Sequence, residues 1–155
     1  MSDKIFRFLE EERPDTPCLV VDLDVVAGKY RTLKGLLPKI GIYYAVKANP
    51  APAVLSRLVK LGAGFDAASI QEIKNVMDAG GTPERISYGS TIKKRSEIAA
   101  AYALGIRLFA FDSQAELEKI AEVAPGSKVC CRIWVSERGA DWPLTRKFGC
   151  TFDMA

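Results

Sequence analysis

A regular alternation of short apolar runs and amphipathic stretches constrains the fold of this chain more than any other feature. The apolar runs recur at separations of 21, 22, 22 and 22 residues, and their centres are Tyr44, Phe65, Ser87, Phe109 and Cys131. A strand, a helix and two short loops fit this period. The strands are predicted over 42–46, 64–67, 85–89, 107–111 and 128–135, with helices over 51–61, 69–79, 93–104 and 113–124. Repeated β/α units of this length predict a parallel sheet with right-handed crossovers.

Two architectures compete for such a sheet. A doubly wound sheet usually carries a glycine-rich phosphate-binding turn after its first strand, and no such turn follows residues 42–46. A TIM-type (β/α)8 barrel needs about 200–250 residues, whereas this chain has 155 and holds about five β/α units. The near-constant period favours the barrel, which five units leave open at both sheet edges. We therefore expect residues 24–155 to be the N-terminal portion of a barrel in a longer chain.

The residues before the repeat form a different pattern. Residues 1–16 are charged and end among prolines, which predicts an arm or a short helix. The apolar run Cys18–Leu23 predicts a strand, and residues 24–37 carry apolar side chains near helical spacing. Residues 1–23 are therefore predicted to be an N-terminal arm followed by a strand.

Composition excludes several kinds of site. The chain has no histidine, so a histidine-bearing zinc site or a Ser-His-Asp triad cannot be built within it. Its four cysteines lack metal-ligand spacing, and we expect them to be reduced and buried. No metal is therefore expected.

Charge and hydropathy limit the partners and the location of the protein. The basic residues are scattered although the net charge is +3, so no nucleic-acid partner is expected. The cluster Lys93-Lys94-Arg95 is expected to be a solvated helix start. The chain shows no signal-peptide core, and no apolar run approaches the roughly 18 residues of a membrane span. We expect no membrane association and a cytoplasmic location.

Polar residues occupy the positions where predicted strands end, which is where a β/α barrel places its chemistry. They are Lys47, Asp66, Asp112 and Arg132. An amine desolvated at the end of a buried strand has a lowered pKa and is a nucleophile for Schiff-base formation. The alternative for Lys47 is a strand-end lysine whose charge extends into solvent.

The other three residues also admit structural interpretations. Asp66 either favours the dipole of the following helix or orients the lysine amine or a cationic cofactor. Arg132 points either into the barrel or outward, and its charge needs an anionic ligand or a carboxylate nearby. Asp112 is expected to cap the following helix. Capping-box spacing marks two helix starts, at Ser69 with Glu72 and at Ser113 with Glu116.

Five segments, in this order and spacing, resemble the fold-type III pyridoxal-phosphate-dependent decarboxylases. The similarity covers roughly residues 17–153 and is greatest to ornithine decarboxylases, in the bacterial form that often also handles lysine. The segments are Thr16-Pro17-Cys18-Leu19-Val20-Val21-Asp22-Leu23, Tyr44-Ala45-Val46-Lys47-Ala48-Asn49, Gly64-Phe65-Asp66-Ala67-Ala68-Ser69, Phe109-Ala110-Phe111-Asp112-Ser113 and Arg146-Lys147-Phe148-Gly149.

The resemblance implies roles for individual residues. Lys47 is the lysine that forms the Schiff base with pyridoxal 5'-phosphate, and Ala45 lines the floor of the cofactor site. Asp66 lies beside the reacting imine, and Arg132 helps to hold the ring. Lys147, otherwise a surface lysine, lies in a loop that family members place at the dimer interface.

The resemblance also implies an activity and an assembly. L-Ornithine is decarboxylated to putrescine, and L-lysine to cadaverine, by a homodimer with shared active sites. The predicted strand Cys18–Leu23 would join the family's second, β-sheet domain. We expect the 155-residue chain alone to be inactive, because the family's other cofactor-binding and substrate-binding residues lie after Ala155. The alternatives are a non-catalytic regulatory homologue of the antizyme-inhibitor type and a diaminopimelate decarboxylase.

Overall fold

The computed structural model describes residues 3–135 and 147–155. The chain divides into two compact units, Met1–Ile40 and Gly41–Ala155. The first unit contains helix α1 (Asp3–Glu12) and helix α2 (Leu23–Leu36). Among the described residues, no helix combines the length and the apolar character that crossing a bilayer requires.

Residues 18–22 do not form the strand that their composition predicted. Helix α2 begins at Leu23 because the Asp22 side chain accepts hydrogen bonds from the backbone N–H groups of Asp24 and Val25. All strands of the described residues lie between 43 and 131, and none of them pairs with this segment. An apolar run becomes a strand only where a neighbouring strand takes up its backbone hydrogen bonds. The boundary at residue 23 and the place of this segment in a second domain remain predictions.

The second unit is built on a five-stranded sheet in which every neighbouring pair of strands is parallel. The strands follow one another in chain order: β1 (Tyr43–Ala45), β2 (Gly64–Ala67), β3 (Ile86–Tyr88), β4 (Leu108–Phe111) and β5 (Lys128–Cys131). Sequential order and parallel pairing are those of a TIM-type barrel. The partial barrel predicted from the 22-residue period is therefore confirmed.

The helices of this unit lie between successive strands, close to their predicted positions. They are α3 (Pro52–Lys60), α4 (Ile70–Asp78), α5 (Arg95–Ala103) and α6 (Gln114–Val123). Alternate strand residues turn to one face of the sheet. On that face Phe65, Tyr88 and Phe109 are fully buried, and the helices contribute the buried side chains Leu55, Ile73, Ile98 and Ile120. The core therefore lies between the sheet and its helices.

The predicted fifth strand, 128–135, is shorter in the structure. Regular pairing with β4 ends at Cys131, and Ile133 forms a single bridge with Cys150. The N–H of Cys150 donates to the carbonyl of Arg132, and the N–H of Trp134 donates to the carbonyl of Cys150. Residues 132–134 thus use their backbone groups on a later segment, which a strand prediction from local composition does not anticipate.

Both predicted capping serines begin their helices. Ser69 Oγ accepts the N–H of Glu72 at 3.2 Å, and Ser113 Oγ accepts the N–H of Glu116 at 3.3 Å. In a capping box the glutamate side chain also accepts the backbone N–H of the capping residue, and neither glutamate does so here. The Glu72 carboxylate accepts from Ala68, one residue before the cap, and the Glu116 carboxylate pairs with two lysines.

Candidate functional site

One row of side chains crosses the carboxyl ends of β1, β2 and β3. The register pairs Ala45 with Asp66, and Asp66 with Ser87. Paired residues of parallel strands point to the same face, and here that face is opposite the helix-packed Phe65 and Tyr88. The row therefore faces the interior side of the partial barrel, at the rim where such folds carry chemistry.

Lys47 lies at this rim but is not desolvated as the sequence predicted. It follows β1 by two residues, in a short 3-10 helix over Val46–Ala48, and it is exposed. Strand β1 is at the edge of the described sheet, so no described strand covers the lysine from that side. Its positive charge is near enough to Asp66 to lower the pKa of that carboxyl. The amine is thus accessible and beside a carboxylate.

Asp66 is half-buried, and its surroundings shift the pKa of its carboxyl in opposite directions. Burial removes water from the carboxylate and raises the pKa of Asp66 above its ordinary value. A hydrogen bond from Ser87 and the positive charges of Lys47 and Arg132 oppose this rise, while Glu72 adds to it. The following helix is capped by Ser69. Asp66 is therefore turned toward the rim rather than used as a helix cap.

The absence of a side chain at Gly89 leaves room for the Asp66 carboxylate. A Cβ built at position 89 would overlap the carboxylate oxygens of Asp66. The glycine directly follows β3, whose Ser87 supplies the hydrogen bond. Sequence reasoning missed both roles, although one signal was present: Ser87 alternates with the apolar Ile86 and Tyr88, which marks it as facing away from the core.

Arg132 lies on the same face as Asp66. Its backbone N–H donates to the carbonyl of Phe111 at 2.8 Å, so the strand geometry continues for one residue beyond β5. Alternation then places Arg132 opposite the core-facing Cys131. Its charge lowers the pKa of Asp66, and its guanidinium carbon lies 5.3 Å from the centre of the Phe148 ring. The inward orientation is the one that the structure supports.

Asp112 does not cap helix α6, contrary to the sequence prediction. Ser113 is the cap, and Asp112 Oδ2 accepts the N–H of Gly149 at 2.9 Å. The backbone of Gly149 has a φ of +106°, a conformation that favours glycine. Asp112 therefore fastens a distant loop to the end of β4, and with the exposed Lys147 it lines a cleft at this rim. Arg146, the first residue of that motif, lies outside the described residues.

Lys93 is buried, whereas the sequence predicted a solvated helix start. Its Nζ donates to the carbonyls of Ser90 at 2.7 Å and Ala110 at 2.6 Å, and it lies 3.0 Å from Glu116 Oε1. Burial lowers the pKa of Lys93, and Glu116 opposes that shift. Lys119 Nζ lies 2.5 Å from the other oxygen of Glu116. The prediction holds for the neighbours Lys94 and Arg95, which are exposed.

The lysine network holds the loop after β3 in place. Lys93 joins the carbonyl of Ser90, in that loop, to the carbonyl of Ala110 in β4. Lys119 donates to the backbone carbonyl of Lys93 itself at 2.6 Å. The loop that begins at Gly89, beside Asp66, is therefore fixed by two charged side chains.

The cysteines are all free, but only some are buried as predicted. Cys18 and Cys130 are exposed, Cys131 is half-buried and Cys150 is buried. Alternation along β5 places Cys130 on the interior face of the sheet, whereas Cys131 turns toward the helix side.

The rim thus combines an accessible primary amine, a half-buried carboxylate and a guanidinium. An amine can bond covalently to an aldehyde, and the two charged groups can complement a heteroaromatic ring that carries both signs of charge. The residues present fit the aldehyde and ring of pyridoxal phosphate. Residues 23–155 match the family model described as "Pyridoxal-dependent decarboxylase, pyridoxal binding domain".

The chain belongs to the pyridoxal-dependent decarboxylase family. It is 37% identical over 158 residues to the lysine/ornithine decarboxylase of Selenomonas ruminantium, a match that covers 98% of this chain and 40% of the relative. It is also 40% identical over 131 residues to antizyme inhibitor 2 of Xenopus laevis, which covers 84% of this chain and 28% of that protein.

Solved structures of the same family share the fold. The arginine decarboxylase of Paramecium bursaria Chlorella virus superimposes with a TM-score of 0.88 at 30% identity, over 99% of this chain and 42% of that chain. The lysine/ornithine decarboxylase of Vibrio vulnificus, complexed with cadaverine, gives 0.82 at 29% identity, over 97% and 40%.

The family and the cofactor class expected from the sequence motifs are therefore confirmed. The chain spans about two fifths of the length of the first relatives it matches. The roles of Lys47, Ala45, Asp66 and Arg132 remain predictions.

Proposed function

We propose that this chain carries the pyridoxal-phosphate-binding part of a carboxy-lyase that converts L-ornithine to putrescine and CO2, and L-lysine to cadaverine, in polyamine biosynthesis. One observation supports the proposal above all others. The accessible amine of Lys47 lies at the same rim as the Asp66 carboxylate, close enough for its charge to act on that group.

Lys47 is the residue proposed to hold the cofactor. A primary amine forms a covalent bond with an aldehyde, and an exposed lysine at the rim is open to a cofactor that arrives from solvent. When bound, pyridoxal phosphate supplies an electron sink that stabilises the negative charge left on a substrate after CO2 departs. The amine also provides a group that can be displaced by a substrate amine and can return.

Asp66 and Arg132 are proposed to orient the cofactor that Lys47 holds. The Asp66 carboxylate is hydrogen-bonded by Ser87, and the charges of both cations act on it. Ala45 is the strand neighbour of Asp66 on the same face, and its methyl group leaves the floor of the site open. The proposed division is that Lys47 bonds the cofactor, Asp66 maintains negative charge beside the bonded nitrogen, and Arg132 holds the ring.

Borohydride trapping tests the role of Lys47. The chain is incubated with pyridoxal phosphate, reduced with sodium borohydride, and mapped by mass spectrometry after digestion. We expect the pyridoxyl group on Lys47, with the label lost in Lys47→Ala and retained in Lys74→Ala, a change at another exposed lysine. A label spread evenly over the exposed lysines would contradict the proposal.

A chimera tests the activity itself. In it, this chain replaces the matching N-terminal two fifths of the Selenomonas ruminantium enzyme, and release of CO2 from L-ornithine and L-lysine is measured. We expect turnover by the chimera, a loss of at least about a thousandfold in Lys47→Ala, and no loss in Lys74→Ala. A folded, dimeric chimera without turnover would count against the proposed site.

We also propose a homodimeric, cytoplasmic enzyme. Lys147 is exposed and lines the rim cleft with Asp112, where a second subunit can reach it. Light scattering of the chimera with and without Lys147→Glu tests the assembly, and we expect the variant to be more monomeric. Fluorescence microscopy of the tagged protein in cells tests the location.

A regulatory homologue is the second candidate, supported by the 40% identity to antizyme inhibitor 2. The rim of this chain retains an accessible lysine beside a carboxylate, which a purely regulatory fold does not need. Failure to trap the cofactor on Lys47, in a chain shown by circular dichroism to be folded, would favour the regulatory candidate.

A further inference from the structure

Two thiols meet at the end of β5, on the face of the sheet opposite the proposed cofactor site. Cys131 Sγ, at the end of β5, lies 3.5 Å from Cys150 Sγ. Cys150 is 5% exposed, and Cys131 is half-buried. The two residues are 19 positions apart in the chain, so this contact is made by the fold and not by the local sequence.

Backbone hydrogen bonds hold both cysteines in this arrangement. The N–H of Cys150 donates to the carbonyl of Arg132 at 3.0 Å, and the carbonyl of Cys150 accepts from the N–H of Trp134 at 2.8 Å. Cys131 is itself paired with Phe111 in the sheet. A disulfide requires the sulfur atoms to approach to about 2.05 Å. The backbone thus brings the thiols to within a short side-chain movement of bonding distance.

We propose that Cys131 and Cys150 form a reversible dithiol–disulfide pair that hydrogen peroxide can oxidise. Cys131, the less buried thiol, attacks one oxygen of hydrogen peroxide and becomes a sulfenic acid, with release of one water. The sulfur of Cys150 then attacks the sulfenic sulfur, a disulfide forms, and a second water leaves. Two thiols lose two electrons and two protons, and the peroxide takes up both. A reducing dithiol reverses the step by exchange.

The disulfide would act on Arg132, which neighbours both cysteines. Arg132 directly follows Cys131, and its carbonyl accepts the N–H of Cys150. The preceding Gly149 is fastened to Asp112. A covalent link would therefore fix Arg132 and the loop of residues 147–150 as one piece. This consequence for the site rests on the proposed function, whereas the formation of the disulfide does not.

Peptide mapping in the Cys130→Ser variant tests the pair. Trypsin cuts after Lys128, Arg132 and Lys147, so peptides 129–132 and 148–155 then carry one cysteine each. The folded chain is treated with one equivalent of hydrogen peroxide at pH 8, alkylated, and digested without reduction. We expect these two peptides to be linked, lighter than their sum by two hydrogens, and released by dithiothreitol.

Two controls decide the outcome. Cys150→Ala should abolish the linked peptides, and treatment in 6 M guanidinium chloride should reduce their yield at least fivefold, because the fold no longer holds the thiols together. An equal yield in denaturant, or linkage of Cys131 mainly to the exposed Cys18, would overturn the proposal. Neither readout involves the cofactor, so the result is independent of whether pyridoxal phosphate binds.

Discussion

At the scale of single residues, the burial of the Asp66 carboxyl is unfavourable to its charge and so carries a cost in stability. Burial raises its pKa, and a serine and two cations limit the rise. A carboxyl whose pKa is higher in the folded than in the unfolded chain binds more protons when folded, so its contribution to stability falls as the pH rises through that window.

This relation gives a prediction for Asp66→Asn. The amide cannot ionise, so the variant should be more stable than the parent at pH 7 and should lose this advantage below about pH 4, where the parent carboxyl is protonated. Thermal unfolding followed by circular dichroism at several pH values measures the difference. Gln71→Ala, at an exposed residue of α4 that carries no charge, is the control, and its effect on stability should not change with pH.

Several residue roles could not be predicted because local sequence does not distinguish them. Lys93 and Lys94 are adjacent and chemically identical, yet one is buried and the other exposed. What separates them is Glu116 and the carbonyl of Ala110, more than fifteen residues away. Lys47 and Asp66 were predicted because strand-end positions repeat with the period of the fold. The exposure of Lys47 could not be predicted, because it depends on the position of β1 at the edge of the described sheet.

Lys93→Met is expected to destabilise the chain by about 3 kcal/mol, because Glu116 would keep its buried charge with one partner fewer. Urea unfolding measures the loss, and Lys94→Met should cost less than about 0.5 kcal/mol. The double variant Lys93→Met/Glu116→Leu should regain part of the loss, since the buried carboxylate is removed and Lys119, which is partly exposed, keeps its hydrogen bond to the carbonyl of residue 93. Equal losses in the two single variants would contradict the buried role.

At the scale of elements, helix starts were predicted well and strand ends less well. A serine followed three residues later by glutamate is a local signal, and both examples cap their helices. The ends of β5 and the state of residues 18–22 depend on which segment supplies the pairing partner. That information is not local. Apolar composition alone therefore predicted too long a strand at β5, and it predicted a strand over residues 18–22 that the structure does not contain.

Removal of a cap tests the local signal. Ser113→Ala should destabilise the chain by about 1 kcal/mol, because the N–H of Glu116 loses its acceptor at the start of α6. Ser96→Ala changes an exposed serine within α5 and should be neutral or slightly stabilising, since alanine favours helix. Chemical denaturation of both variants gives the comparison, and a larger loss at position 96 would refute the capping assignment.

At the scale of the molecule, the partial barrel has a covered face and an uncovered one. The helix side of the sheet contains the core, while the interior side carries Asp66, Ser87 and the exposed Cys130. The period of the sequence predicted this arrangement because each unit repeats the same division between apolar and polar strand positions. The prediction of the cofactor came from the family resemblance and not from the periodicity.

Thiol labelling measures the difference between the faces. Under native conditions Cys130 should react with iodoacetamide at least tenfold faster than Cys150, because only the former is open to solvent. Cys18 is exposed as well, so the test uses a Cys18→Ser chain, in which Cys130→Ser should remove the fast phase without altering the slow one. Similar rates for the two thiols in the folded chain would show that the interior face is covered.

The neighbour relations of the sheet have a consequence for how the protein is made. Each strand pairs with the one synthesised about 22 residues before it, and no described strand waits for a distant partner. A chain emerges from the ribosome with its N-terminus first, and contacts between residues close in sequence form quickly. Each new β/α unit can therefore dock on its predecessor as it emerges, an order of assembly in which β1 is the first strand available for pairing.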